Sequence, residues 1–243
     1  MKADNNEHAL KHNPICVALD LSDRAEIMAL VEALETSVGT LKVGLTAFTS
    51  CGPELVSELA QTADVFLDLK LHDIPVQVAG AVAAAEALGP RFLTVHASGG
   101  RAMLEAAAEA ADEMEILAVT VLTSLGGEDL ADIGMDGTAS DQVARLAELA
   151  LSAGVAGLVC SPLEVEMLRA HFGPVSAGGP VLVVPGIRPR GSARGDQRRT
   201  MTPSEALRAG ADHIVIGRPI TGAADPLATA REILADVSGG AGF

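Results

Sequence analysis

The chain has no Trp and no Tyr, and only five Phe among its 243 residues. A core must therefore be assembled from Leu, Val, Ile and Ala, and platforms for stacking nucleobases are scarce. Basic residues are also few: 17 Lys and Arg stand against 32 Asp and Glu, a formal net charge of −15. That balance argues against nucleic acid or an anionic membrane as a partner. A phosphorylated ligand would need a local positive site against the overall field. Cysteine is sparse and odd in number (Cys16, Cys51 and Cys160), without a Cys-x-x-Cys pair. Neither a disulfide framework nor a zinc site is suggested, and no His, Glu and Cys spacing reads as a metal site. No apolar signal region or spanning run is seen, so a reduced, cytoplasmic protein is expected. No nucleophile elbow surrounds Ser124. The Gly-x-Gly-x-x-Gly fingerprint is missing after the first apolar run.

What is present is apolar and regularly spaced. The chain is 49% hydrophobic and contains 25 Gly. Eight short apolar runs recur: Ile15–Asp20, Leu41–Leu45, Asp64–Leu71, Phe92–Ala97, Ile116–Leu122, Ala156–Cys160, Pro180–Val184 and Ala211–Ile216. A helical segment follows each. The first is capped by Ser22 and runs to about Val38; others cover Pro53–Gln61, Pro75–Leu88, Arg101–Ala111 and Thr138–Ala153. Ser161-Pro-Leu-Glu164 and Thr202-Pro-Ser-Glu205 read as helix starts with capping-box spacing, and Asp225-Pro226 opens the last helix. Strands alternating with helices, roughly 30 residues per unit, imply parallel pairing through right-handed crossovers. Eight units predict an α/β fold, a single (β/α)8 TIM barrel over residues 1–243, with residues 1–13 frayed. A doubly wound open sheet is the alternative, disfavoured by the missing fingerprint.

Barrel active sites lie at the C-terminal ends of the strands. The richest such end is Asp68-Leu-Lys-Leu-His-Asp73, where three charges close an otherwise apolar run. Alternation along a strand places Leu67, Leu69 and Leu71 on one face and Asp68 and Lys70 on the other, roughly 6–7 Å apart. Asp73 falls just past the strand, before Pro75 at the first turn of a helix. Taken alone, an Asp-x-Lys pair also reads as a structural ion pair. Asp20, Lys42, His96, Thr123 and Ser124 occupy other strand ends. His96 reads either as a base or ligand or as a hydrogen-bonded structural histidine. The loop Pro185–Met201 is long, rich in Gly and Arg, and carries Arg188 and Gln197. It reads as a solvated surface loop or as a mobile lid carrying donors for an anion. Gly217-Arg218 ends the eighth run, where barrels of this kind commonly hold phosphate.

Together these residues resemble the orotidine 5′-phosphate decarboxylase family over nearly the whole chain. The likeness rests on VALD ending at Asp20, LKVGL around Lys42, DLKLHDIP, TVHASGG, VLTS at Thr123 and Ser124, PGIRP with Arg188, GDQRR with Gln197, and VIGRP with Gly217 and Arg218. One departure is Val76-Gln77, where the family often has Asn-Thr. The resemblance implies conversion of orotidine 5′-phosphate to UMP and CO2 without a metal or organic cofactor. It implies Lys70 as proton donor to C6, Asp68 beside the departing carboxylate, and Lys42 and Asp73 holding Lys70. It assigns Asp20 and Asp73 to ribose hydroxyls, Thr123 and Ser124 to the pyrimidine edge, and Arg188, Gln197, Gly217 and Arg218 to the phosphate region. It also implies a homodimer in which Asp73 reaches the partner's site. Sister sugar-phosphate enzymes, which use Mg²⁺, share the Asp-x-Lys-x-x-Asp pattern. A nucleotide-binding barrel without activity and a phosphate-binding isomerase are the other readings.

Overall fold

The computed structural model describes residues 13–34, 37–191 and 199–240. Eight parallel strands close into a barrel in the order β1 to β8. They are β1 (Ile15–Ala18), β2 (Thr40–Gly44), β3 (Asp64–Leu71), β4 (Phe92–His96), β5 (Glu115–Val119), β6 (Gly157–Val159), β7 (Val181–Val184) and β8 (His213–Ile216). Closure is made by β1 against β8, with Cys16 paired to Val215. Each strand lies within the apolar run expected for it or one residue outside it, because continuous Val, Ile and Leu suit a parallel strand covered on both faces.

Two apolar layers result. Inside the barrel, Phe66, Phe92, Leu117, Val119, Val183 and Val215 form one cluster. Phe66 and Phe92 meet edge to face with centroids 6.1 Å apart, so two of the five Phe plug the floor of the barrel. A larger cluster fills the space between strands and helices, from Ile15 and Val17 round to Ile214 and Ile216. Small residues dominate the helices that cover it, such as Pro75–Glu86 and Arg101–Glu109, and allow them close approach to the sheet.

Several boundaries differ from those expected. The first helix is Arg24–Leu34, and its cap is Asp23, which accepts from the Glu26 N–H at 3.0 Å; Ser22 is not the cap. Its described part stops short of Val38, and Ser37–Gly39 is not helical. A helix over Leu45–Cys51 precedes Pro53–Leu59, with Gly52 between them at φ 78°. β5 ends at Val119, so residues 120–126 are loop, followed by a short helix Gly127–Asp132. Thr202 and Glu205 close the expected capping box, the Thr202 N–H donating to Glu205 Oε2 at 2.9 Å. The one expected at Ser161 does not form. Ser161 Oγ accepts from the Leu163 N–H at 3.2 Å, but Glu164 turns inward instead of reaching back. Among the described residues no helix is long and apolar enough to cross a membrane.

Candidate active site

Parallel register sets the site. Ala18 pairs with Lys42, Lys42 with Phe66, and Gly44 with Asp68. Ala18, Lys42, Phe66 and Asp68 all line one cavity of about 650 Å³ at the barrel mouth, within the size range of small-ligand sites. Four charges alternate there. Lys42 Nζ lies 3.2 Å from Asp20 Oδ1 and 3.3 Å from Asp68 Oδ2, and Lys70 Nζ lies 2.7 Å from the same Asp68 oxygen. Asp68 Oδ1 accepts from Thr94 Oγ1 at 3.0 Å, and Thr94 Oγ1 accepts from the Lys70 N–H at 2.9 Å. Thr94 thus fixes a carboxylate and the backbone of the neighbouring lysine from the adjacent strand.

Simple alternation does not carry Lys70 to this position. Lys70 has φ 53°, and among the described residues it is the sole non-glycine with positive φ. Left-handed backbone costs a residue with a Cβ roughly 1–2 kcal/mol. The strand is irregular at the same place: β3 advances from Leu67 to Leu71 while β4 advances only from Leu93 to Val95. Leu69 and Leu71 still pack with Leu67 on the outer core, as expected. The kink turns the Lys70 ammonium onto Asp68. Strain of this kind persists where surrounding contacts over-determine it, and such places are commonly functional. Gly44 serves the same cluster, since a Cβ there would lie 2.9 Å from both Asp20 Oδ1 and Lys42 Nζ.

The electrostatics keep Asp68 and Lys42 ionised. Burial of Asp68 would by itself raise its pKa, but the Lys42 and Lys70 ammonium groups and the bonds from Lys70 and Thr94 outweigh it and hold it below 3.8. Burial pulls Lys42 downward, but Asp68 and Asp20 outweigh it and raise it above 10.5. Cys160 also lines the cavity, but burial pushes its thiol far up, as it pushes Cys16 to about 12. Both cysteines are buried packing residues, as the sequence suggests.

Further cations line the same cavity beyond β7 and β8. Thr123, Arg188, Gly217 and Arg218 line the cavity, as expected, with Leu122, Val159, Pro185 and Val215 forming apolar wall between them. Ser124 is exposed and is not among the lining residues. Asp73 also lies outside the cavity of its own chain: it is exposed, and its Oδ1 accepts from the Ile74 N–H at 2.6 Å. Gln197 lies outside the described residues. His96 is half-buried and stacks with His72 at 5.5 Å; burial, then His72 and Lys70, lower its pKa. Among the described residues no cluster of three or more His, Cys, Asp or Glu is placed to hold a metal ion. Thr94 and Gly44 fall inside TVHASGG and LKVGL, but the residue patterns gave neither a role in the site.

The cavity therefore presents an alternating array of ammonium and carboxylate groups, two guanidinium groups, and apolar wall. Comparison with known proteins identifies the family. A model of the orotidine 5′-phosphate decarboxylase / HUMPS family matches residues 13–233. An orotidine 5′-phosphate decarboxylase of Thermobifida fusca (strain YX) is 51% identical over 226 residues, covering 92% of this chain and 95% of that protein. One from Anaeromyxobacter sp. (strain K) is 52% identical over 223 residues, covering 91% and 96%. The crystal structure of orotidine 5′-phosphate decarboxylase from Lactobacillus acidophilus superposes with a TM-score of 0.81 at 34% identity, covering 93% of this chain and 99% of that one.

Proposed function

This chain belongs to the orotidine 5′-phosphate decarboxylase / HUMPS family, and we propose that it is a metal- and cofactor-independent decarboxylase that converts orotidine 5′-phosphate to UMP and CO2 in de novo pyrimidine biosynthesis. The observation that carries this reading is the run Asp20–Lys42–Asp68–Lys70, buried at Lys42 and Asp68, in one cavity that Arg188 and Arg218 also line. In the reaction, the bond between C6 and the substrate carboxylate breaks, CO2 departs, and the electron pair remains on C6. No adjacent electron sink delocalises that pair, so a fixed cation must stabilise its charge. The Lys70 ammonium stabilises the developing charge and then donates its proton to C6, leaving UMP. Asp68 abuts the departing carboxylate, and their repulsion is relieved as CO2 leaves. Lys42, held by Asp20 and Asp68, keeps the array charged and rigid. Asp20 binds the ribose hydroxyls, and Thr123, with Ser124 next to it in sequence, reads the pyrimidine edge. Arg188, Gln197, Gly217 and Arg218 bind the phosphate, whose binding energy is spent at the distant reacting carbon.

The same reading makes the enzyme a homodimer of single-domain barrels, with Asp73 completing the partner's site. Its support is local. Asp73 is exposed and does not line its own cavity, and beside it Ile74 and Val76 are 60% and 70% exposed. Leu45, which follows Gly44 on the adjacent strand, is 57% exposed. Val76-Gln77 stands on this face too, so the departure from Asn-Thr falls where a partner would pack. We place the protein in the reduced cytoplasm, a setting that suits its three free cysteines. The test is loss of orotidine 5′-phosphate absorbance with EDTA present. Undiminished turnover is expected. A folded sample that is inactive until Mg²⁺ is added would favour the sugar-phosphate branch of the family instead.

A further inference from the structure

Glu164 is 3% exposed, and its charge has no part in the proposed chemistry. It ends the 3-10 turn Pro162–Glu164 that follows β6. Its Oε1 accepts from Arg199 Nη1 at 2.6 Å, while Arg199 Nη2 donates to the carbonyl of Leu122 at 3.1 Å. Arg199 stands two residues before Met201. Met201 forms a parallel bridge with Ile187, and its carbonyl accepts from the Arg188 N–H at 2.9 Å. One guanidinium therefore ties together the loops after β5, β6 and β7. Leu122 precedes Thr123 on one rim of the cavity, and Arg188 lies on another.

The pair is not arranged for its own strength. Glu164 Oε2 and Arg199 Nε are buried without a hydrogen-bond partner among the described residues. Turning the guanidinium side-on to the carboxylate would satisfy both atoms, but it would take Nη2 from Leu122. Orphaned buried polar atoms are costly, and here the cost coincides with a third tie. Only a planar fork of donors can make both contacts at once. We propose that Arg199, oriented by Glu164, is a positioning residue that sets the distance between the Thr123 rim and the Arg188 rim, and so the fit of both ends of the nucleotide. The proposal rests on the decarboxylase reading.

The experiment compares kcat/KM on orotidine 5′-phosphate and on phosphate-free orotidine, well below each variant's measured Tm. It uses wild type, Arg199→Ala, Glu164→Ala and the double variant. A residue that sets the cavity's width should slow both substrates by similar factors, about tenfold or more, as expected for breaking a charge-assisted contact. The double variant should be no worse than the worse single variant, because the two act as one unit. Loss confined to the phosphate-bearing substrate would make Arg199 a phosphate contact only and overturn the proposal. Losses that multiply in the double variant, or wild-type rates in either single one, would overturn it as well. If the alanine variants do not fold, Arg199→Lys and Glu164→Gln give the same comparison, with smaller losses on both substrates expected. Wild type inactive on orotidine 5′-phosphate would remove the underlying reading and this proposal with it; active wild type with unaffected variants would remove only the proposal.

Discussion

Replacing Asp68 by Asn removes one charge and almost no volume. The carboxylate it replaces is 7% exposed and lies between two ammonium groups at 2.7 and 3.3 Å. Those distances place the two Nζ atoms no more than about 6 Å apart, where their repulsion at an effective dielectric of 20 is roughly 3 kcal/mol. Lys42 keeps Asp20 at 3.2 Å, and Lys70 can turn toward solvent, so part of that is relieved. The Thr94 hydroxyl can still donate to the Asn carbonyl. Breaking a buried pair by removing one partner typically costs 3–5 kcal/mol, and the partial relief here points to the lower end, about 3 kcal/mol. For a chain of this length that is a Tm drop of roughly 6–12 °C. The sign with pH follows from the depressed pKa. Asp68 contributes stability above 3.8, its unfolded value, and loses it as pH falls further. The gap between wild type and Asp68→Asn should therefore be constant from pH 5 to 8 and narrow only in acid. Urea unfolding at several pH values measures it directly. A variant as stable as wild type at pH 7, or a gap that widens in acid, would refute the view of Asp68 as the counter-charge that holds both lysines.

Arg218→Ala should raise KM for orotidine 5′-phosphate and lower kcat/KM by about tenfold or more, since a charged donor to phosphate contributes roughly 1.5–3 kcal/mol; an unchanged kcat/KM would remove Arg218 from the phosphate site. Lys70→Ala and Asp73→Ala should each be nearly inactive, but mixed subunits should regain about a quarter of the sites, because a two-fold heterodimer carries both mutations in one site and neither in the other. Exchange demonstrated by mass spectrometry without any return of activity would confine Asp73 to its own subunit. His213 is pushed down to about 4 by burial and by the Arg91 charge, so between pH 6.5 and about 4 the unfolded chain binds the extra proton and stability falls as pH drops. His213→Gln should flatten that slope by up to roughly 3 kcal/mol across the window, and parallel pH profiles for the two proteins would rule the group out.

The barrel was legible because its strands are continuous apolar runs and its helices are punctuated by Pro and Gly, both local properties. The charges at strand ends were legible because a parallel barrel sends every strand's C-terminus to one mouth. What was hidden depends on contacts between distant segments. Thr94 reads as one more β-branched residue in Phe-Leu-Thr-Val-His until the β3–β4 register sets it beside Asp68. The left-handed Lys70 has no residue-type signature, since that conformation ordinarily selects Gly or Asn. Glu164 stands three residues after Ser161 and so imitates a capping box, but a partly buried arginine from the far side of a long loop claims its carboxylate. Asp73 is adjacent to the array in sequence, yet it is exposed, does not line its own cavity, and its carboxylate accepts from the Ile74 N–H.

The claim on which the rest depends is that Lys70 supplies both the cation and the proton. The direct measurement is turnover of orotidine 5′-phosphate by Lys70→Ala in EDTA, alongside wild type and with UMP binding confirmed by calorimetry. General-acid catalysis and electrostatic stabilisation each contribute on the order of 10²-fold or more, so a folded, UMP-binding variant should be slower by about 10⁴-fold. Turnover within tenfold of wild type in that variant would contradict the account.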